Sequence, residues 1–198
     1  VAVDMMTREA AIALVTDSIR RDSTVVATTG MISRELYEQR GLKGQDRSSD
    51  FLTVGSMGHA SQIAMGIALA APDKDVTCID GDGAALMHLG GMATIGTSKV
   101  GNLLHIVLNN GAHDSVGGQP TVAFRVSLPD MARACGYDEV VGPVTGSAEV
   151  LAAVQKLTQV PGRRFLEIRV RPGSRSDLGR PKESPAENKA LFVRRLRG

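Results

Sequence analysis

Short apolar segments rich in β-branched residues alternate along the chain with longer amphipathic or small-residue segments. The apolar segments predict buried strands and the longer ones predict helices, because the two have different hydrophobic periods. Predicted strands cover residues 24–27, 76–80, 103–108, 140–141 and 164–170. Predicted helices cover residues 7–21, 60–70, 84–98, 128–136, 147–159 and 185–196, with one more beginning near Ser33 and a polar loop over 41–50. This alternation predicts an α/β domain with a doubly wound, mostly parallel sheet.

The segment from Gly81 to Asn110 connects two of the predicted strands. Strand 76–80 is followed by Gly-Asp-Gly at 81–83, and strand 103–108 is followed by Asn-Asn at 109–110. The residues between them are rich in Ala, Leu and Met, and their number suits one crossover helix. Parallel strands joined in this way end at the same edge of the sheet, which is where open α/β sheets bind ligands. We therefore expect Asp82 and the paired asparagines to lie close together there.

Carboxylate and amide oxygens at adjacent strand ends suit a hard divalent cation that keeps water and phosphate as its other ligands. Glycines on both sides of Asp82 allow a tight turn and leave room for a diphosphate. The alternative is a βαβ unit with an Asp-Gly turn, an Asn-Gly turn and no ligand.

Composition and charge narrow the classes of function. With 198 residues, 42% hydrophobic and 22% charged, the chain is long enough for one globular domain with a full core. It contains no apolar run of about 18 residues and no secretory leader pattern, so we expect no membrane contact and a cytoplasmic location. Cys78 and Cys135 are expected to be small buried residues, since two cysteines at this spacing form neither a metal signature nor a disulfide framework.

The net charge of +2 is unevenly distributed. Residues 163–198 carry 11 Lys or Arg against 4 Asp or Glu, whereas the other residues carry 12 against 17. Only Phe165 and Phe192 could stack on bases in this basic segment, so we do not expect a nucleic-acid partner. An anionic small substrate or an acidic subunit surface explains the basic segment better.

Three further segments carry candidate chemistry. Strand 24–27 ends in Thr-Thr-Gly at 28–30 before a helix, which favours a phosphate, although a capped helix without a ligand is the alternative. Gly-Ser-Met-Gly at 55–58 precedes a helix of small residues. After Asn110, residues 111–121 hold His113 and several glycines; histidine is the usual proton carrier near neutral pH, and the alternative is a surface loop. We expect His88 and His105 to be structural.

The Gly-Asp-Gly tripeptide, followed after 25 residues by Asn-Asn, resembles the thiamine diphosphate (ThDP) motif of ThDP-dependent enzymes. The longer segments 81–90 and 108–121 are similar to those of phosphonopyruvate decarboxylases, with the beta subunits of sulfopyruvate decarboxylases as close relatives. The resemblance extends from Thr7 to Arg175. It covers only the carboxyl half of the single-chain phosphonopyruvate enzyme.

The resemblance implies ThDP and Mg²⁺ as cofactors, with Mg²⁺ held by Asp82, Asn110 and the backbone carbonyl of Ala112. The implied cofactor-binding residues are Thr29, Gly30, Ser56, Met57, Gly58, His59, Gly81, Asp82, Gly83, Ala84, Asn110 and Ala112. Met57 would support the bent cofactor, and the backbone at Ser56 and Met57 would hydrogen-bond its aminopyrimidine. His59 is either a helix cap or an active-site group. His113 and Asp114 are the implied catalytic residues.

The implied reaction is the decarboxylation of 3-phosphonopyruvate, an anionic 2-oxo acid, to phosphonoacetaldehyde and CO₂. ThDP enzymes also need a pyrimidine-binding domain that supplies an activating glutamate, and the chain reaches the cofactor fold within about 20 residues of Val1. We therefore expect a diphosphate-binding domain over 1–172 that works with a pyrimidine-binding subunit in a hetero-oligomer, or with another part of a longer polypeptide. A sulfopyruvate decarboxylase subunit, another ThDP-dependent carboligase and a non-catalytic ThDP-binding subunit remain open.

Residues 173–198 are predicted to form a basic tail that ends in a short docked helix. Arg175, Arg180 and Lys189 lie in this tail, and guanidinium groups match phosphonate oxygens in paired hydrogen bonds. One hypothesis is that the tail folds over the cofactor cleft and binds the phosphonate. The alternative is a solvated tail or an arm that contacts another subunit.

Overall fold

The computed structural model describes residues 5–198. Residues 1–4, which the predicted domain 1–172 includes, lie outside the described residues. The helices are α1 Arg8–Ser18, α2 Met31–Leu42, α3 Ala60–Ala70, α4 Asp82–Met87, α5 Gly90–Thr97, α6 Leu128–Cys135, α7 Ser147–Thr158 and α8 Pro185–Arg197. The strands are β1 Thr24–Ala27, β2 Asp50–Leu52, β3 Val76–Gly81, β4 Asn102–Asn109, β5 Ala112–His113, β6 Gln119–Pro120, β7 Glu139–Val144 and β8 Gly162–Arg169.

Six strands form one sheet in the order β2-β1-β3-β4-β8-β7. Every strand pair in this sheet is parallel, which confirms the predicted sheet. All eight residues of β4 are buried, because helices cover both faces of the sheet there. One face packs against α1, α2 and α7, and the other against α3, α5 and α6. The fold is therefore the doubly wound α/β architecture that the sequence predicted.

The structure departs from the predicted elements in three places. The single crossover helix predicted over 84–98 is wrong: it begins at Asp82 and divides at His88, where φ is −129° and ψ is 48°, into α4 and α5. Two adjacent glycines, Gly90 and Gly91, lower the helix propensity at this break. The short strand β2 and the hairpin of β5 and β6 were not predicted, because a three-residue edge strand and two-residue strands carry no period.

The tail is docked on the domain, and α8 lies beside the edge strand β2. The ring centroids of Phe192 and Phe51 are 5.3 Å apart. The side chain of Asn188 accepts a hydrogen bond from the amide of Leu52 at 3.1 Å and donates one to the carbonyl of Asp50 at 3.0 Å. It therefore occupies the backbone positions at which another strand would pair. None of the helices in residues 5–198 has both the length and the apolar character needed to cross a bilayer.

Candidate active site

A cleft opens at the carboxyl ends of β1, β3 and β4. The chain adds β2 on one side of β1, and from β3 onward it builds the sheet on the other side, so the ends of β1 and β3 form a topological switch point. The cleft is lined by Arg8, Thr28, Thr29, Met31, Ile32, Met57, Gly81, Asp82, Gly83, Ala84, Leu108, Asn110, Ala112, His113, Asp114 and Ser115. Most of the residues singled out in the sequence thus meet in one place. Gly30, Ser56, Gly58 and His59 do not line this cleft.

The three predicted metal ligands, Asp82, Asn110 and Ala112, all line the cleft. Residue Gly81 at the end of β3 pairs with Leu108 of β4, so Asp82 and Asn110 leave adjacent strands almost side by side. The amide oxygen of Asn110 accepts a hydrogen bond from the amide of Ala112 at 3.0 Å, which fixes the turn. A carboxylate, a side-chain amide and a backbone carbonyl are oxygen donors of the kind that Mg²⁺ takes.

Asp82 is the first residue of α4 and is only 2% exposed. Burial raises the pKa of its carboxyl, while hydrogen bonds from the Thr121 hydroxyl and from the nearby backbone oppose the rise. The Thr121 hydroxyl lies 2.5 Å from Asp82 Oδ2. Such a carboxylate gains more from a bound cation than an exposed one would, because it has lost most of its hydration.

The two asparagines at the end of β4 have different partners. Asn109 is completely buried, donates to the Glu167 carboxylate at 2.7 Å and accepts from the amide of Gly111 at 3.0 Å. Asn110 lines the cleft and donates to Asp114 Oδ2 at 2.7 Å. Successive side chains of a strand point to opposite faces, so the pair serves two purposes. Asn109 anchors the turn in the core, and Asn110 faces the cleft.

The turn after β1 brings backbone and hydroxyl groups to the cleft. The Thr28 hydroxyl is buried and has no hydrogen-bond partner among the described residues, although Thr28 lines the cleft. A buried unpaired hydroxyl is costly, so a ligand oxygen that accepts from it would be favourable. Gly30 caps α2 with φ at 99°, and a Cβ there would lie 3.0 Å from Cβ of Ser115. These features fit a phosphate group at the start of α2.

Residues 55–58 form a second turn beside the cleft. Ser56 has φ at 48° and is the non-glycine residue with a left-handed backbone among residues 5–198. Such a conformation costs energy and is typical of functional turns. Met57, which follows it, is the residue of this turn that lines the cleft. His59 lies outside the cleft, exposed, with its ring centroid 4.6 Å from that of His88.

His113 and Asp114 lie on the cleft wall, but their surroundings differ. The imidazole of His113 covers Gly83 so closely that a Cβ at position 83 would lie 2.4 Å from the ring. Asp114 Oδ2 instead accepts hydrogen bonds from Arg8 at 2.6 Å, from Asn110 at 2.7 Å and from a backbone amide at 3.0 Å. His113 is therefore a candidate proton carrier on the cleft wall, whereas the Asp114 carboxylate connects Arg8, Asn110 and a backbone amide.

Arg8 anchors this part of the cleft, and the sequence interpretation missed it. It is 4% exposed, pairs with both carboxylate oxygens of Glu35 at 2.8 and 2.9 Å and also contacts Asp114. Burial acts to lower the pKa of Arg8, but the carboxylates of Glu35 and Asp114 outweigh it and the pKa is raised. A signal was available: Arg8 stands three, four and seven residues before Ala11, Ile12 and Val15, which places a cation on the apolar face of α1.

Two other residues were absent from the predicted site. Thr28 directly precedes the predicted Thr29, and its burial at the end of a strand could have indicated it. Thr121 contacts Asp82 only because the hairpin of β5 and β6 returns the chain to the cleft, where its amide donates to the carbonyl of Gly111 at 2.8 Å. The sequence holds no signal for that return.

Comparison with known proteins places this architecture among characterised families. The family model described as the C-terminal TPP binding domain of thiamine pyrophosphate enzymes matches residues 28–168; thiamine pyrophosphate is another name for ThDP. A phosphonopyruvate decarboxylase from Streptomyces viridochromogenes is 44% identical over 91% of this chain, which covers 44% of that protein. A sulfopyruvate decarboxylase subunit beta from Methanothermobacter thermautotrophicus is 35% identical over 86% of this chain, which covers 85% of that subunit.

Solved structures agree on the fold. A ThDP-dependent 4-hydroxybenzoylformate decarboxylase from Rhodococcus jostii superposes with a TM-score of 0.68 at 19% identity, covering 89% of this chain and 34% of that one. Benzoylformate decarboxylase from Polynucleobacter necessarius gives a TM-score of 0.71 at 14% identity, covering 85% and 34%. The chain spans less than half the length of the phosphonopyruvate decarboxylases that it matches.

Proposed function

Because the chain belongs to the thiamine pyrophosphate enzymes through their C-terminal TPP-binding domain, we propose that it is the diphosphate- and Mg²⁺-binding half of a ThDP-dependent 2-oxo acid decarboxylase. The substrate is 3-phosphonopyruvate, and the products are phosphonoacetaldehyde and CO₂. The similarity to a phosphonopyruvate decarboxylase over 91% of the chain supports this substrate.

The observation that carries the proposal is the meeting of Asp82, Asn110 and Ala112 in one cleft beside the unpaired hydroxyl of Thr28. Oxygen donors and a buried unpaired hydroxyl together suit a metal ion and a diphosphate, whereas a purely structural turn would leave no such donor unpaired. The tight approach of His113 to Gly83 supports the same assignment, since only glycine fits there.

The residues of the cleft would have different roles. Asp82, Asn110 and the carbonyl of Ala112 would hold Mg²⁺, and Thr28 would donate a hydrogen bond to a phosphate oxygen. When bound, ThDP supplies the electron sink that decarboxylation of a 2-oxo acid requires. His113 would deliver a proton to the substrate carbon from which CO₂ has left.

A pyrimidine-binding partner, either a separate subunit or the remainder of a longer polypeptide, would supply the activating glutamate and complete the site in a hetero-oligomer. The match to proteins named subunit beta supports a separate subunit. Large apolar side chains near the cleft are exposed, Val54 at 69%, Val116 at 61% and Phe124 at 48%, and they offer a surface for such a partner.

A sulfopyruvate decarboxylase subunit is the second candidate. It is favoured by coverage, because the chain covers 85% of the length of one sulfopyruvate decarboxylase beta subunit. Phosphonate and sulfonate are both anions on the same carbon, so charge alone does not distinguish the two substrates. The ratio of kcat/KM for 3-phosphonopyruvate and 3-sulfopyruvate, measured on the enzyme assembled with its pyrimidine-binding portion, decides between them.

The metal assignment is tested by Asp82→Ala in the same assembled enzyme. We expect Mg²⁺-dependent ThDP affinity to fall by more than about 100-fold, since even an outer-shell partner of a metal is worth about 10–100-fold. The measurement is isothermal titration calorimetry with ThDP at saturating Mg²⁺. Asp73→Ala, which removes an exposed carboxylate from the loop between α3 and β3, is the matched control. Undiminished affinity in Asp82→Ala would remove the basis of the proposed function.

A further inference from the structure

A second cavity adjoins the cofactor cleft and reaches the tail. It measures about 520 Å³, within the range of small-molecule sites. Four residues, Thr29, Met31, Met57 and Ser115, line both the cleft and this cavity, so the two spaces are continuous. Its far wall is formed by the tail over residues 180–185. A substrate bound beside the cofactor would extend into this space.

Resting on the function proposed above, we propose that Arg180 binds the anionic substituent on C3 of the substrate and thereby selects a phosphonate or sulfonate over an unsubstituted 2-oxo acid. Arg180 lines the cavity. Within residues 5–198, its guanidinium makes no hydrogen bond or ion pair. Five N–H donors are therefore available to a ligand in a geometry that matches phosphonate oxygens.

The other two cations considered in the tail do not share this position. Arg175 forms ion pairs with Glu9, Glu38 and Asp177, so its charge is already compensated. Lys189 lies exposed on α8 and does not line the cavity. Of the three basic tail residues considered for binding the phosphonate, the structure therefore supports Arg180 alone.

The backbone that carries Arg180 is held in place. Arg34 donates to the carbonyls of Leu178 and Gly179, the latter at 2.6 Å, and Glu38 accepts from the amide of Gly179 at 2.6 Å. The side chain of Leu178 is buried. A binding group on a fixed support loses less entropy when it engages a ligand. Arg180 thus follows directly on a backbone segment that Arg34 and Glu38 hold in place.

The charges around the cavity favour an anion. Arg34 and Arg180 line it against one carboxylate, Glu183, and carbonyl partners leave the charge of Arg34 in place. On the cofactor side, the Thr29 hydroxyl accepts from the amide of Gly55 at 3.1 Å, which leaves its own hydrogen free to donate. The cavity therefore offers the Thr29 hydroxyl as a donor at its cofactor end and Arg180 as a donor at its tail end. A substrate with a carboxylate at one end and a second anion at the other would find a donor for each.

The test compares Arg180→Gln and Arg180→Lys with Lys189→Gln, which removes the same charge from the same tail outside the cavity. All are made in the enzyme assembled with its pyrimidine-binding portion. Three quantities are measured: kcat/KM for 3-phosphonopyruvate, 3-sulfopyruvate and pyruvate; the calorimetric Kd of 3-phosphonopropanoate, which lacks the keto group; and the thermal midpoint. Because the guanidinium of Arg180 has no hydrogen-bond or ion-pair partner within residues 5–198, the thermal midpoint should not change in any variant.

Arg180→Gln should lower kcat/KM for the phosphonate or sulfonate substrate by roughly 10–100-fold, the range of one charge-assisted hydrogen-bonded pair, and leave pyruvate nearly unaffected. The Kd of 3-phosphonopropanoate should rise by a similar factor, Arg180→Lys should recover part of the loss, and Lys189→Gln should match the wild type. Equal losses for all three acids, or an unchanged Kd, would overturn the assignment. If the wild type turns over none of the acids, the proposed function fails, and the Kd comparison still decides the role of Arg180.

Discussion

Arg8 is the buried cation that connects the start of α1 to the cleft, and its replacement by methionine tests that connection. Glu35 is 2% exposed, and both its carboxylate oxygens are bound by Arg8. Methionine fills similar volume but leaves the Glu35 carboxylate buried and without a hydrogen-bond partner among residues 5–198. Asp114 would keep its hydrogen bonds from Asn110 and Gly173.

Removing one partner of a buried pair costs about 3–5 kcal/mol, because the remaining charge is uncompensated. That is a large share of the ~5–15 kcal/mol that stabilises an ordinary domain. If Glu35 is changed as well, its buried carboxylate is no longer left without a partner, and Asp114 keeps its hydrogen bonds from Asn110 and Gly173. Replacing a whole buried pair by apolar side chains is often neutral or stabilising. The Arg8→Met, Glu35→Met double variant should therefore be more stable than Arg8→Met alone.

The free energy of unfolding is measured by urea denaturation followed by far-ultraviolet circular dichroism. Arg20→Met is the matched control, since Arg20 pairs with Asp22 in the solvent and its loss should leave the midpoint unchanged. A cost below about 1 kcal/mol for Arg8→Met, or a double variant no more stable than the single one, would show that the pair does not stabilise this region as inferred.

Three further predictions follow from the structure and the proposed function. The 198-residue chain alone, with ThDP and Mg²⁺ in excess, should release no CO₂ from 3-phosphonopyruvate in a coupled assay, whereas CO₂ should be released once its pyrimidine-binding partner is added. Robust turnover by the isolated chain would show that it does not need that partner. Burial raises the pKa of Asp50 to about 6, although the attraction of Arg40 opposes the rise. A carboxyl whose pKa is higher in the folded than in the unfolded state stabilises the fold at low pH, so the free energy of unfolding should fall as the pH rises from about 4 to 6. Asp50→Asn should flatten that fall in urea titrations. Gly96→Ala should destabilise the fold by about 1–3 kcal/mol or more, the cost of an overpacked core, because the new Cβ would overlap the carbonyl oxygen of Cys135. Gly90→Ala has open space around it and should unfold at the wild-type midpoint or above. Equal midpoints for the two variants would contradict the close approach of α5 and α6.

The part of the site that the sequence predicts well is the part fixed by local pattern and topology. Asp82 and Asn110 could be placed together because a strand, a turn and a crossover repeat at short range, and parallel strands end at one edge. The helix at the end of the tail was expected on evidence of the same local kind, namely its recurring apolar residues. The family resemblance then gave these positions their chemistry, and the matched domain confirms that family.

The residues that the sequence does not predict are those that depend on long-range return of the chain. Arg8 and Asp114 are 106 positions apart, and Thr121 and Asp82 are 39 apart. No periodicity links such pairs, because their contact is decided by how α1 and the β5–β6 hairpin pack on the sheet. The division of the crossover helix at His88 has a tertiary contribution beside the local one from Gly90 and Gly91, since the His88 ring centroid lies 4.6 Å from that of His59 in the preceding segment.

The tail contacts the cleft and the start of the described chain at one point. This contact limits the experiments that can test the role of the tail. Thr7 pairs with Arg171 in a parallel bridge, and the amide of Gly173 donates to the same Asp114 oxygen that binds Asn110 and Arg8. Deleting the tail from Gly173 onward would remove a hydrogen bond to Asp114, which is itself hydrogen-bonded to the proposed metal ligand Asn110. It would therefore disturb the cleft even if no tail side chain touched the substrate. Lost activity would not distinguish an arm that contacts another subunit from a tail that binds the phosphonate. A change at Arg180 leaves these contacts intact, so a loss confined to substrates with a phosphonate or sulfonate on C3 comes from the cavity itself.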